Sequence, residues 1–187
     1  MNSKQANETS KFLSFVLRHE PQAIGIELDR EGWADVDALI AGAAAQGREL
    51  DYAAIASIVE GNDKKRFALS EDGKRIRAVQ GHSTQSVTVT HVEKTPPEVL
   101  YHGTATRFLA SIQQQGLLAG ARHHVHLSQD IDTAVSVGKR YGQVVVLRVE
   151  AARLHAQGVT FFQADNGVWL VNHVPADALQ VLDTPAA

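Results

Sequence analysis

Apolar residues recur at three- and four-residue spacing near the start of the chain and predict an amphipathic helix. Phe12, Leu13, Val16 and Leu17 fall on one helical face, while Pro21 disfavours helical geometry at the residue before it. This first helix is therefore expected to end just ahead of the proline.

Two further helices and a hairpin are predicted in the first half of the chain. Residues 35–47 and 51–61 each open on an aspartate suited to an N-cap and close on a glycine. Residues 66–69 and 75–79 then flank Ser-Glu-Asp-Gly as the strands of a hairpin. Three helices followed by a hairpin is the order of a winged helix, a scaffold often found on nucleic acid, although this link is one of analogy.

The middle of the chain is polar. Residues 80–97 contain Gly, Ser, Thr and a pair of prolines between two apolar-rich regions. This composition predicts a linker, with one short strand at residues 87–89. The chain is therefore expected to divide into two domains, residues 1–92 and residues 93–187.

Alternating β patterns dominate the second half. The predicted strands are residues 99–102, 125–127, 144–149, 160–162, 168–171 and 179–182, and the predicted helices are residues 108–115 and 131–138. Asn166-Gly167 lies between two apolar β runs and predicts a two-residue hairpin turn. The expected fold class is α+β, with mostly antiparallel sheet in this half.

Composition narrows the class of protein. The 187 residues, of which 44% are hydrophobic and 21% charged, describe a globular protein of one large or two small domains. No apolar run approaches the roughly 18 residues of a membrane span, and the N-terminus lacks the apolar core of a signal peptide. A cytoplasmic protein with no membrane partner is expected. The absence of cysteine excludes disulfides and thiolate metal sites.

The formal net charge of −3 argues against a protein that coats nucleic acid by bulk attraction, so any polyanion site must be local. Arg18 and His19 fall in the last turn of the first helix, where cations complement the helix dipole. They also suit phosphate binding and proton exchange near neutral pH. Arg66, ahead of an aromatic expected to face the core, is either a third phosphate ligand or one cation of a solvated hairpin. Both interpretations of these residues stay open.

Two histidine-bearing strings in the second half complete the candidate chemistry. In the first, His102 precedes Gly103 and Thr104, which would let a ligand approach the backbone and would expose a hydroxyl; a lone histidine is also often buried in a core. In the second, Arg122 is a further candidate phosphate ligand. His124 and His126 of the same string share one face of a strand, but a third metal ligand at suitable spacing is missing, so no metal is expected.

Eight short strings stand along the chain in a specific order: SFVLRHEP, the GW of REGW, KKRF, IRAVQGHS, LYHGT, RHHVHLS, VGKRYG and NGVWL. In these strings the sequence closely resembles the KptA family of RNA 2′-phosphotransferases across nearly its whole length. One position departs from the family, which more often reads IRANQGHS where this chain has Val79.

The resemblance implies a fold, a reaction and a partner. The fold is an N-terminal winged-helix-like lobe followed by an ADP-ribosyltransferase-type lobe that binds NAD. The reaction transfers an internal RNA 2′-phosphate, as at a ligated tRNA splice junction, to NAD⁺ as co-substrate. The products are 2′-hydroxyl RNA, nicotinamide and ADP-ribose 1″,2″-cyclic phosphate. A monomer acting on 2′-phosphorylated RNA without a metal is expected.

Site residues follow from the matching motifs. The resemblance implies a set that handles the phosphate, namely Arg18, His19, Arg66 and Arg122. It implies a second set that contacts NAD, namely His102, Gly103, Thr104, His126, Ser128, Asn166 and Val168.

Two alternatives remain beside this interpretation. One is a non-catalytic nucleic-acid-binding regulator with a winged helix, in which the cations would serve affinity alone. The other is an ADP-ribosyltransferase that caps terminal phosphates of nucleic acids. Transfer to protein ranks lower, because no glutamate stands near residues 166–169, where such enzymes place one.

Overall fold

The computed structural model describes residues 3–61 and 64–182. The chain divides into two compact units, Met1–Thr90 and His91–Ala187. Each unit has a hydrophobic core of its own. No helix within the described ranges is both long enough and apolar enough to cross a bilayer.

Three helices form most of the first unit. They are α1 (Ser3–Arg18), α2 (Val36–Ala45) and α3 (Tyr52–Glu60), and a short 3-10 turn at Pro21–Ile24 follows the first. All three were predicted, and α1 ends just before the proline, as expected.

Both predicted aspartate caps are confirmed. Asp35 accepts a hydrogen bond from the Ala38 amide at 2.8 Å, and Asp51 accepts one from the Ala54 amide at 2.7 Å. Each bond satisfies an amide of the first helical turn that has no partner within the helix. Helix α2 stops two residues before Gly47, whose φ of +71° turns the chain away from the helix.

A small antiparallel sheet completes the first unit. Its strands are β1 (Trp33–Asp35), β2 (Phe67–Leu69) and β3 (Arg75–Ala78), in the order β1-β3-β2. The β2–β3 hairpin was predicted, whereas β1 was not. Three residues are too few to show an alternating pattern, and the last of them also caps α2.

The predicted linker is largely part of the first unit. Val87 is 1% exposed, and the Thr88 amide donates to the Arg30 carbonyl at 2.7 Å. The Thr90 hydroxyl and amide bond the two carboxylate oxygens of Glu31 at 2.7 and 3.0 Å. In this described segment residues 87–89 form no strand, so that prediction was wrong. Its backbone bonds go to a loop, and one buried valine produced the alternation that resembled a strand.

The second unit is a mixed α/β structure. Its strands are β4 (Val92–Glu93), β5 (Leu100–Ala105), β6 (Leu117–Leu118), β7 (Val125–Leu127), β8 (Val144–Val149), β9 (Phe161–Gln163), β10 (Trp169–Val171), β11 (His173–Val174) and β12 (Leu179–Leu182). Its helices are α4 (Leu109–Gln115), α5 (Ile131–Gly138) and α6 (Ala151–Ala156). The strands form three sheets in the orders β4-β9-β10-β7, β12-β8-β5 and β11-β6.

Every strand pair in these sheets is antiparallel, which confirms mixed structure with mostly antiparallel sheet. The six predicted strands and two predicted helices of this half are present, with ends shifted by one to three residues in some cases. The two-residue strands and α6 were missed, because segments of two to six residues carry too little periodicity to read.

The turn at Asn166-Gly167 differs from its prediction. The Gly167 amide donates to the Ala164 carbonyl at 2.8 Å, and the Ala164 amide donates to the Val168 carbonyl at 2.9 Å. Gly167 has a φ of +83°, whereas Asn166 is not in the left-handed region. The loop therefore spans three residues, with glycine at the left-handed position, instead of the two of a type I′ turn.

Val87 and Val92 both lie in the predicted linker, and substituting each of them tests whether the segment around residue 87 belongs to the first unit. Val87→Ala should lower the free energy of unfolding by about 1–3 kcal/mol, because it leaves a cavity in a packed site. Val92→Ala, at a side chain that is 68% exposed, should change it by less than about 0.5 kcal/mol. Urea denaturation of both variants measures the difference, and equal midpoints would show that residue 87 lies outside the cooperative unit.

Candidate active-site residues

The C-terminal end of α1 is bound to a segment 65 residues further along the chain. The Arg18 carbonyl accepts hydrogen bonds from the Ser83 amide at 2.9 Å and from the Thr84 hydroxyl at 3.0 Å. The His19 Nδ1 atom lies 2.8 Å from the Ser83 hydroxyl. This segment therefore fixes both the backbone at Arg18 and the orientation of the His19 ring.

Arg66 is held through its backbone at the start of β2. Its carbonyl accepts a hydrogen bond from the Val79 amide at 3.0 Å, and the following residue, Phe67, is 3% exposed as predicted. Val79 is itself 3% exposed, so the position that departs from the family packs as a core residue. Arg18, His19 and Arg66 thus all belong to the first unit, whose helix α1 packs on strand β3.

In the second unit a backbone bridge joins the two histidine-bearing strands. Tyr101 and Ser128 exchange both amide-to-carbonyl hydrogen bonds, at 2.8 and 2.7 Å. The bridge brings β5 alongside the end of β7. As a result, His102 reaches the other strand, and its Nδ1 donates to the His126 carbonyl at 3.0 Å.

Arg122 joins the same group. Its Nη1 donates to Nδ1 of His126 at 3.2 Å, so this ring nitrogen is an acceptor and the proton of a neutral His126 is on Nε2. His102 has the opposite tautomer, because its own Nδ1 carries the donated proton. The structure therefore sets an acceptor nitrogen on His102 and a donor nitrogen on His126.

Burial lowers the pKa of His102 below the ordinary histidine value. The hydrogen bond to the His126 carbonyl opposes this shift, and the positive charge of Arg122 adds to it. His102 is therefore neutral at pH 7 and its Nε2 can accept a hydrogen bond.

His124 packs beside aromatic rings. His124 makes edge contacts with the rings of Phe162 and His91, at centroid distances of 5.7 and 5.9 Å. Burial, and then the neighbouring His123, lower the pKa of His124. Among the described residues, no group of three or more His, Asp or Glu side chains is arranged to hold a metal ion.

Gly103 and Thr104 have roles that the sequence did not indicate. A Cβ atom at Gly103 would overlap the carbonyl oxygen of Ala134, and one at Gly138 would lie 2.7 Å from the Thr104 carbonyl oxygen. These glycines let α5 pack directly on β5. The prediction of an exposed hydroxyl was wrong, because Thr104 is only 6% exposed.

Asn166 and Val168 lie in the loop that leads into β10. The Asn166 side-chain oxygen accepts from the Val168 amide at 3.3 Å. Two residues later, Leu170 is paired with His126 across the β10–β7 ladder. The loop thus immediately precedes the strand that pairs with the His126 strand, and its two named residues bond each other.

Sequence reasoning missed the residues that position this chemistry. Ser83 and Thr84 hold the end of α1, and the backbone of Tyr101 and Ser128 joins the two strands. The only signal was their place within or next to strings that carry candidate residues, such as HST after Gly81. Long-range backbone pairing leaves no local pattern to read.

The structure defines an α+β protein that carries Arg and His side chains in each of two units, with a hydrogen-bonded Arg–His–His group in the second. A family model described as "RNA 2'-phosphotransferase, Tpt1 / KptA family" matches residues 4–173. The chain belongs to this enzyme family, which confirms the resemblance seen in its motifs.

Curated relatives match over nearly their whole length. A protein of Pseudomonas fluorescens named "Probable RNA 2'-phosphotransferase" is 62% identical, over 97% of this chain and 100% of its own. Proteins of the same name from Pseudomonas syringae pv. tomato and Escherichia coli O45:K1 are 60% and 56% identical. They cover 98% and 99% of this chain, and 99% and 95% of their own lengths.

The packing role of Gly103 predicts the effect of a single methyl group. Gly103→Ala should destabilise the protein by about 1–3 kcal/mol, because the added atom must displace the backbone of α5. Gly120→Ala is the control: it adds the same atom where no described atom lies within 4 Å, and its cost comes only from a φ of +64°. Thermal unfolding of the two variants gives the comparison. An unchanged midpoint for Gly103→Ala would mean that the glycine serves close ligand approach alone.

The lowered pKa of His102 predicts a pH dependence. Between this pKa and the ordinary value near 6.5, the unfolded chain is protonated at this position and the folded chain is not. Stability contributed by His102 should therefore be present above about pH 6.5 and be lost as the pH falls below it. An NMR titration of the imidazole checks the shift, and removing the cation with Arg122→Ala should raise this pKa slightly. A His102 that titrates at or above 6.5 would contradict the assignment.

Proposed function

We propose that this protein is an NAD⁺-dependent RNA 2′-phosphotransferase. It would move an internal RNA 2′-phosphate to NAD⁺ and release 2′-hydroxyl RNA, nicotinamide and ADP-ribose 1″,2″-cyclic phosphate. The observation that carries the proposal is the hydrogen-bonded group of Arg122, His126 and His102. This group places a guanidinium cation, a hydrogen-bond donor and a hydrogen-bond acceptor beside one another, in a chain that belongs to this family.

The proposed lobes follow the two units. The three helices and the β1-β3-β2 sheet support a winged-helix-like lobe over residues 1–92. The antiparallel sheets that carry β5 and β7 support an ADP-ribosyltransferase-like lobe over residues 93–187. We propose that the enzyme works as a monomer with RNA as its partner.

The NAD⁺-binding side of the proposal is assigned to the second unit. A neutral His102 can accept a hydrogen bond from a ribose hydroxyl, and the Nε2 proton of His126 can be donated to a ligand oxygen. Ser128 lies at the bridge between β5 and the end of β7, and the loop of Asn166 and Val168 leads into β10, which pairs with β7. Thr104 is buried in β5, and we propose that it supports the NAD⁺-binding residues from this position.

In the first step, an oxygen of the RNA 2′-phosphate attacks the ribose C1″ atom and the bond to nicotinamide breaks. The leaving group departs as a neutral base from a cationic pyridinium, so little acid catalysis is required. The protein must instead hold a dianion in line and close to C1″. Guanidinium groups do this by bidentate hydrogen bonds, which is the role proposed for Arg18, Arg66 and Arg122.

In the second step, the ribose 2″-hydroxyl attacks phosphorus and loses its proton, and the bond from phosphorus to the RNA 2′-oxygen breaks. The departing oxygen takes up a proton to give the 2′-hydroxyl. Negative charge increases on the phosphoryl oxygens, so preorganised guanidinium groups stabilise this state more than the ground state. His19, oriented by Ser83, is proposed to supply the proton to the leaving oxygen.

A defined 2′-phosphorylated oligonucleotide tests the reaction. Mixed with the protein and NAD⁺, it should yield nicotinamide in step with dephosphorylated RNA, and neither product should form without NAD⁺. A regulator that only binds nucleic acid would release no nicotinamide. A capping enzyme would instead leave ADP-ribose attached to a terminal phosphate.

The role of His19 predicts a kinetic loss. His19→Ala should reduce turnover by about 10²–10⁴-fold, because it removes the group that moves the proton. Ser83→Ala should reduce turnover less and change its pH profile, since it removes only the partner that orients the ring. His155→Ala, on α6, is the matched control and should keep wild-type turnover. A loss below tenfold for His19→Ala would reject the acid–base role.

A further inference from the structure

The string VGKRYG has no part in the proposed chemistry. It contains Lys139, Arg140 and Tyr141, followed by Gly142. We propose that these three residues, with Arg107 and Phe108, form a surface that binds the single-stranded RNA flanking the reacting phosphate. We call it the basic–aromatic surface. This inference rests on the proposed function and adds to it a place for the substrate strand.

The two segments of the basic–aromatic surface lie side by side at the end of β5. The last pair of the β5–β8 ladder is Ala105 with Val144, and the Thr106 amide donates to the Gln143 carbonyl at 2.9 Å. The segment after β5 and the segment before β8 are thus joined by backbone bonds. His102 is three residues back along β5, about 10 Å at the rise of a strand. This distance suits a surface for the nucleotides next to a reacting phosphate.

The two segments that form this surface carry charges of one sign. Arg107, Lys139 and Arg140 are all exposed. The sequence has no Asp or Glu from residue 99 to residue 129, or from residue 133 to residue 149. In a chain with a formal net charge of −3, three exposed cations on two segments that lack acidic residues favour local attraction of a polyanion.

Two aromatic rings stand among these cations. Phe108 and Tyr141 are each 41% exposed, so part of each ring is open to solvent. The Arg107 guanidinium lies 4.7 Å from the centroid of the Phe108 ring. Exposed rings interleaved with cations are the pattern by which proteins bind single strands, since bases stack on the rings while the cations bind phosphates. A folded duplex offers no unstacked bases, so the strand is proposed to be single.

Binding of ordinary RNA tests the basic–aromatic surface without relying on phosphate transfer. The probe is a fluorescent single-stranded RNA with 2′-hydroxyls throughout, titrated at several salt concentrations without NAD⁺. Tyr141→Ala should weaken binding by about 5- to 100-fold because a base can no longer stack there, whereas Tyr141→Phe should bind like the wild type. Arg140→Ala should weaken binding and reduce the slope of log K against log salt by about 0.7 for each phosphate that is no longer neutralised.

Arg153→Ala is the charge control. It removes one positive charge from the same unit, at a side chain that pairs with Glu150 and Asp177, and should leave both affinity and salt slope unchanged. Thermal unfolding of every variant, together with the intact ring of Tyr141→Phe, separates a defect in binding from a defect in folding. If Tyr141→Ala and Arg140→Ala bind this RNA within twofold of the wild type, the inference is wrong.

Substrate length gives a second readout. With a long 2′-phosphorylated RNA, Tyr141→Ala and Arg140→Ala should raise KM several-fold with little change in kcat. With a 2′-phosphorylated dinucleotide, which has no flanking strand, they should match the wild type. Equal losses on both substrates would overturn the inference, because they would place these residues at the reacting centre. Failure of the proposed function itself looks different: the wild type would then release no nicotinamide from either RNA.

Discussion

The backbone bridge between Tyr101 and Ser128 is the interaction on which the chemistry of the second unit depends. It joins strands from two different sheets at a single pair of residues. Next to this bridge, the His102 Nδ1 atom donates to the His126 carbonyl, and that hydrogen bond fixes the tautomer of His102. The bridge therefore sets three things together: the orientation of His102, the position of the His126 backbone and the strand end next to Arg122. One bridge is enough to align these residues because each of the two strands is also held in its own sheet, β5 by pairing with β8 and β7 by pairing with β10.

Electrostatics in the Arg122–His126–His102 group follow from that geometry. Burial favours the neutral form of His102, and the nearby guanidinium acts in the same direction. A neutral imidazole with a fixed acceptor nitrogen suits a hydroxyl ligand better than a phosphate. Arg122, in contrast, presents a planar guanidinium group whose paired N–H donors suit a phosphate. In the proposed function, neighbouring side chains of this group would therefore take two different tasks, one toward the sugar and one toward the phosphate.

The sequence predicted the local features of this molecule and missed the long-range ones. Helix α1, the caps at Asp35 and Asp51, and the strand β8 were readable because each is set by neighbours along the chain. The strand expected at residues 87–89 failed because alternation cannot distinguish a strand from a loop with one buried valine. Ser83 and the partners of β5 are defined only by contacts with distant segments, for which one sequence has no signal.

Gly103 and His102 stand in the same string, LYHGT, but have different physical roles. From the sequence, Gly103 was interpreted as a residue that lets a ligand approach the backbone closely. Packing alone already requires a glycine there, because a Cβ atom at Gly103 would overlap the carbonyl oxygen of Ala134 in α5. In the opposite direction, a Cβ atom at Gly138 in α5 would lie too close to the Thr104 carbonyl oxygen in β5. Gly103 and Gly138 therefore allow α5 to pack directly on β5, where Thr104 is buried. A residue can therefore stand in a motif because it shapes the strand that carries the chemistry, while its neighbour His102 bears the polar atoms that a ligand would touch.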